Sequence, residues 1–315
     1  MENPADTKPN PVIEIAPDGD LILMVGPEET KLRIRSILLM AASKVFSTML
    51  GPDWKEGGDI RHHDGPFELP LPEDNAAALQ VVCSIIHYQN DKIPRTLPAG
   101  DILAVAVVAD KYDCVDVVKF ASESWLRTSG HEPDDLMLLT AAAYILRSST
   151  AFNNITRTLI LNYDGPFLAL CTNEIESIMP WKVFCLLEEQ RGFARLEVSQ
   201  ILIEGGGASS CCHNCGWTSK YAYAYMKLLD LKDLWPADLF RTSIAKALAK
   251  AERMPDPVPE ERSTECRYAY KHEPPAYREN RHWKLDSLNE RIGLCLRCTR
   301  LDRTDSNCSN PSHNR

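Results

Sequence analysis

Cysteine and histidine crowd the last third of the chain. Cys212 and Cys215 form a C-x-x-C pair followed by Gly216, and Cys295 and Cys298 repeat that spacing further on. Cys266 and His272 lie between the pairs, and Cys308 and His313 follow them. A C-x-x-C pair offers two thiolates to one metal ion, and a glycine behind it lets the backbone turn so that its amides face the sulfurs. Two such pairs are a strong zinc signal and predict one or two structural ions. In one pairing Cys212, Cys215, Cys266 and His272 share an ion and Cys295, Cys298, Cys308 and His313 share a second, which closes the shorter loops. In the other the two C-x-x-C pairs make a four-cysteine site, and the remaining residues form a second site or none. Sites closed by four protein ligands leave no position for water and serve folding instead of catalysis. Cys211 is the spare, because adjacent cysteines seldom both reach one tetrahedral ion, while His213 and His282 read as surface residues. The competing reading, unliganded thiols in a polar region, is disfavoured because exposed thiols at metal spacing are a liability.

Composition narrows the rest. The chain has 315 residues and 11 cysteines. Its start, MENPADTKPNP, is polar and proline-bearing, and it contains no uninterrupted apolar run of about 18 residues. These features predict a soluble intracellular protein, cytoplasmic or nuclear, with reduced thiols and no membrane segment. Cys83, Cys114, Cys171 and Cys185 sit singly in apolar stretches and read as small core residues. Residues 1–204 carry 17 Lys and Arg against 30 Asp and Glu, whereas residues 205–315 carry 18 against 14. The acidic front repels phosphate, and the slight positive excess behind it is a weak footprint for nucleic acid, so no nucleic-acid partner is expected. Nucleophile elbow, H-E-x-x-H, Rossmann glycines and deaminase signature are all missing, which predicts that the protein is not an enzyme.

The elements that would position these residues follow from periodicity. DLILMV at Asp20–Val25 reads as a strand before a Gly26-Pro27 turn. Leu32 to Leu50 places Ile34, Ile37, Leu38, Ala41, Ala42, Val45, Phe46, Met49 and Leu50 at helical spacing, with one break near Ser43. FELPL at Phe67–Leu71 reads as a second strand, and Asn75–Tyr88 as a helix burying Leu79, Val82, Cys83 and Ile86. Leu97–Trp125 reads as a helix pair capped by Asp101 and turning near Tyr112-Asp113. Before them, residues 1–17 read as a disordered tail, although Val12, Ile13 and Ile15 permit a short edge strand.

With these pieces in order, DLILMV, LRIRSILLMAASKVFSTML, ELPLPEDNAAALQVVCSIIHY and ILAVAVVADKYDCVDVVKFA, the segment 18–127 resembles a BTB/POZ domain of the type common among fungal proteins. The last piece carries most of the resemblance, with Ala109-Asp110-Lys111-Tyr112 and the break at Asp113-Cys114 in family order. One departure is Arg35-Ser36, where the family usually has His-Lys. The resemblance implies an α+β fold that works through protein partners, by homodimerisation or by recruitment. Trp54 and Glu56 resemble the hydrophobic-x-Glu pattern with which some family members contact a cullin-3 ubiquitin ligase.

Residues 128–204 read as an all-helical extension. Pro133 opens one helix, Ala151–Leu161 and Asn173–Met179 add two, and Pro180 opens a long one packed through Trp181, Phe184, Cys185, Leu187, Leu196 and Ile203. Residues 205–210 (GGGASS) read as a linker, and 211–315 as a small Cys/His-rich, zinc-stabilised region. Within it Trp217–Leu229 presents Tyr221, Tyr225 and Leu228, and Thr242–Arg253 presents Ile244, Ala247, Leu248 and Ala251, as core faces. Two functions follow as expectations. One is an interaction protein, most concretely a cullin-3 substrate adaptor. The alternative is a transcription or chromatin factor whose tyrosine stripe and zinc module contact nucleic acid.

Overall fold

The computed structural model describes residues 11–52, 65–205, 215–258, 266, 272 and 277–300. The chain forms two compact units, Met1–Ala151 and Phe152–Arg315. That division falls inside the stretch expected to be one helical extension.

In the first unit, β1 (Ile13–Glu14), β2 (Leu21–Val25), β3 (Thr30–Ile34) and β4 (Phe67–Leu71) form one sheet in the order β1-β3-β2-β4. β2 and β3 are an antiparallel hairpin with Val25 opposite Thr30, while β1 joins β3 and β4 joins β2 in parallel. Leu21, Leu23, Val25, Leu32 and Ile34 are fully buried and alternate with half-buried neighbours, the period of a sheet covered on one face. Here the helical reading of Leu32–Ile34 is corrected. Thr30-Lys31-Leu32-Arg33-Ile34 alternates polar and apolar, and the four-residue turn from Gly26 (φ +74°) to Glu29 (φ +49°) folds it back on β2. The short edge strand before it is β1, and Ile15 just beyond it is buried.

Helices α1 (Ser36–Ala42) and α2 (Lys44–Met49) are separated at Ser43, which adopts extended backbone and accepts the Phe46 amide proton as the N-cap of α2. α3 (Ala76–Ile86) is capped by Asn75, and α4 (Ala99–Lys111) and α5 (Val115–Trp125) are joined through Asp113 at φ +48°. Asp101 lies in the first turn of α4 and is not its cap, a place held by Pro98. α6 (Pro133–Ile145), with proline in its first turn, packs on α4. A polar lock holds the helices. The Ser43 hydroxyl donates to the Tyr112 carbonyl, the Tyr112 hydroxyl and Lys111 ammonium donate to Asp74 at 2.7 Å each, and Phe46 stacks on Tyr112 at 4.2 Å. Every polar group it buries finds a partner, the condition under which such networks stabilise.

The second unit is helical: α7 (Ser149–Asn162), α8 (Asn173–Ile178), α9 (Trp181–Glu204), α10 (Trp217–Leu231), α11 (Ile244–Arg253), α12 (Tyr277–Arg291) and α13 (Leu296–Arg300). α9 packs against α11 and α12, which also pack on each other. Its buried stripe runs through Val183, Phe184, Leu187, Arg191, Ala194, Val198, Ile201 and Leu202. The expected packing side is therefore corrected, since Trp181, Cys185, Leu196 and Ile203 are exposed. A buried arginine carries the stripe through its middle. Arg191 donates to the Tyr163 and Gly165 carbonyls, pairs with Glu188, and lies over the Phe167 ring at 4.4 Å.

Candidate metal centre

The knuckle begins with backbone geometry. Gly216 is left-handed at φ +65°, a conformation open to glycine at little cost, and Trp217 starts α10 directly behind it. This turn places Cys215 beside two residues from a distant connector. The ligand atoms of Cys215, Cys266 and His272 all lie within 4.8 Å of one another. Cys266 and His272 are buried, and Cys215 is half-buried.

The spacing suits a metal ion. Zinc bonds of about 2.3 Å to sulfur and about 2.0 Å to nitrogen, at the tetrahedral angle, span about 3.5 Å. Cys215 Sγ and His272 Nε2 are 3.5 Å apart. Two soft sulfur donors and an imidazole select zinc-like ions over magnesium or calcium, which prefer oxygen. Three of the four residues in the shorter-loop pairing thus meet, and the three could hold a metal ion. The fourth, Cys212, lies outside the described residues.

Cys295 and Cys298 are not brought to this group among the described residues. They stand at the start of α13, on a turn fastened to α7. The Leu294 amide donates to Thr156 Oγ1 at 3.0 Å, and Asn153 Nδ2 donates to the Leu294 carbonyl at 3.2 Å. Gly293 has φ +126°, and a Cβ there would meet Asn153 Nδ2 at 2.7 Å, so the turn requires glycine. Lys182 Nζ donates to the Cys298 carbonyl at 3.1 Å. Cys308 and His313, and likewise Trp54 and Glu56, lie outside the described residues. His282 is exposed and bridges Glu252 at 3.2 Å and Asp286 at 3.3 Å, linking α11 to α12.

Behind the knuckle, the aromatic face of α10 is core, with Trp217, Tyr221, Tyr225 and Leu229 buried. Base stacking on Tyr221 and Tyr225 is thereby blocked. Tyr225 and Tyr277 donate their hydroxyls to the Leu202 and Ile201 carbonyls, at 2.6 Å for Tyr225, and so cap the last turn of α9. Burial raises the pKa of both phenols, that of Tyr277 to about 12, which keeps them protonated as donors. Gly205, expected to open a linker, ends α9 instead. A Cβ at Gly205 would overlap the Tyr225 hydroxyl and the Tyr277 ring.

Two residues of this neighbourhood have no counterpart in the sequence expectations. Trp217 stacks on the His272 imidazole with centroids 4.8 Å apart and planes 8° from parallel. Arg281 is fully buried and donates to the Met254 carbonyl. The tryptophan had a signal, its place directly after a C-x-x-C-G turn. The arginine had none, because α12 is so polar that its sequence shows no apolar stripe.

Compared with protein-family models, curated proteins and solved structures, the chain matches none. No helix among the described residues is long and apolar enough to cross a membrane.

Proposed function

We propose that the chain is an interaction protein that acts by contact and not by catalysis. Its first unit is of BTB/POZ type and dimerises or recruits a protein partner, and its second unit is held together by structural zinc. The observation that carries the reading is the order of the first unit: a β2–β3 hairpin, the α1–α2 pair broken at Ser43, a parallel β4, then α3 and the α4–α5 pair. That order follows the quoted motifs one by one. Recruitment of cullin-3 through Trp54 and Glu56 is the most specific form of the proposal.

In the second unit Cys215, Cys266 and His272, with Cys212 as fourth ligand, hold one zinc ion, and Cys295, Cys298, Cys308 and His313 hold another. The clustering of Cys215 with Cys266 and His272 supports this pairing over a shared four-cysteine site. Zinc content per chain, together with light scattering and cullin-3 pull-down, tests both halves. About two ions per chain, one lost in Cys295→Ser with Cys298→Ser and the other in Cys215→Ser, are expected. The intact chain should run as a dimer or retain cullin-3 in a Trp54-dependent way. A metal-free folded chain would sink the zinc half, and a monomer that ignores cullin-3 would sink the BTB half.

A further inference from the structure

Trp217 joins the metal knuckle to the core of the second unit. It follows Gly216 directly, so the turn that sets Cys215 also sets the indole. One ring face lies flat on His272, and the ring packs at 6.4 Å from Tyr221, one turn along α10. Trp217 is 3 % exposed and His272 4 %. The indole Nε1–H is buried without a hydrogen-bond partner, so the residue contributes a ring face and not a donor.

An imidazole binds a metal through a lone pair in the plane of its ring, so whatever fixes the plane aims the ligand. Nε2 is the nitrogen that faces Cys215 Sγ. We propose that Trp217 is the positioning residue of the metal centre, holding the His272 ring so that Nε2 meets the ion shared with Cys215 and Cys266. This rests on the metal reading of the second unit.

The test uses the full chain loaded with zinc or with cobalt. Trp217→Phe keeps an aromatic face and removes the unpartnered N–H, whereas Trp217→Leu removes the face. Competition with a chromophoric chelator should show Trp217→Leu weaker in zinc affinity by about 10- to 100-fold, the range for residues that orient a ligand. Trp217→Phe should stay near wild type, and only the leucine variant should shift the visible cobalt bands. Leucine-variant protein that binds zinc as tightly as wild type, with an unchanged cobalt spectrum and merely a lower melting point, would overturn the proposal. If the leucine variant does not fold, nuclear magnetic resonance on zinc-loaded wild type decides. His272 ring protons shifted upfield by the indole, with zinc on Nε2, are expected, and zinc on Nδ1 or unshifted protons would overturn it. Wild type that binds no metal overturns the metal reading and this proposal with it, a failure visible before any substitution is made.

Discussion

His87 uses both ring nitrogens. Its Nδ1 lies 2.8 Å from the Cys83 carbonyl and donates to it, and its Nε2 accepts the Arg35 amide proton at 2.9 Å, tying the start of α1 to the end of α3. That arrangement requires the neutral ring, since a second proton would face the Arg35 N–H. Burial holds the pKa below the ordinary 6.5, and the Arg35 charge pushes the same way. Below about pH 6.5 the unfolded chain takes up a proton that the folded chain refuses, so this contribution is complete above that value and fades as pH falls through the window beneath it. The urea midpoint of the first unit should therefore drop between pH 7 and pH 5, with a slope from this residue of at most about 1.4 kcal/mol per pH unit. His87→Gln, which can still donate and accept, should flatten the slope. An unchanged slope in the variant would assign the acid sensitivity to groups other than His87. The neighbouring Cys83 and Cys114 thiols, pushed up to about 12 by burial, stay protonated and behave as core residues.

At the scale of elements, α9 depends on the two tyrosines that cap its final carbonyls. Tyr277→Phe removes the hydroxyl that caps the Ile201 carbonyl and should cost about 0.5–1.5 kcal/mol of second-unit stability, measured by denaturant midpoint. Tyr225→Phe should cost less, because the Gly205 amide still donates to the Leu202 carbonyl. Gly205 sharpens the test because its sign reverses the ordinary rule. At helical φ (−67°), replacing glycine by alanine normally stabilises by about 0.4–1 kcal/mol. Here the added methyl would collide with the Tyr225 hydroxyl and Tyr277 ring, so Gly205→Ala should destabilise, and a stabilised variant would refute the close approach. The same end of α9 shows where sequence reading reaches its limit. β2, β4, α3 and the Ser43 break were legible because their apolar residues repeat at the period of the element they form, or because a hydroxyl sits where a cap is needed. β3 was hidden because Leu32 and Ile34 fit a helical period as well as a strand's when they run into α1. The α9 face was misread because Arg191 and Ala194 continue its stripe while Leu196 and Ile203 point away. α12, with Arg281 in its buried face, has too few apolar residues to announce itself. Pairing in the metal centre was left open because spacing fixes which thiolates are adjacent in sequence, whereas the approach of His272 to Cys215 depends on how α10 packs.

For the whole molecule, two compact units of similar length carry different means of support. The first has a sheet-backed apolar core and a satisfied polar lock around Asp74, with no ligand cluster of three or more among its described residues. The second is helical, and the ligand atoms of Cys215, Cys266 and His272 lie within 4.8 Å of one another, where they could hold a metal ion. Metal that binds only the folded arrangement adds its binding free energy to folding, and that energy is lost when a chelator removes the ion. Chelation, or Cys215→Ser, should therefore lower the unfolding transition of the second unit while leaving that of the first in place. Hydrogen exchange resolves the two. Amides of α10 should lose protection on chelation, and those of β2, β3 and α4 should keep theirs. If both sets lost protection together at one chelator concentration, the units would unfold as one cooperative body and the metal would support the entire chain.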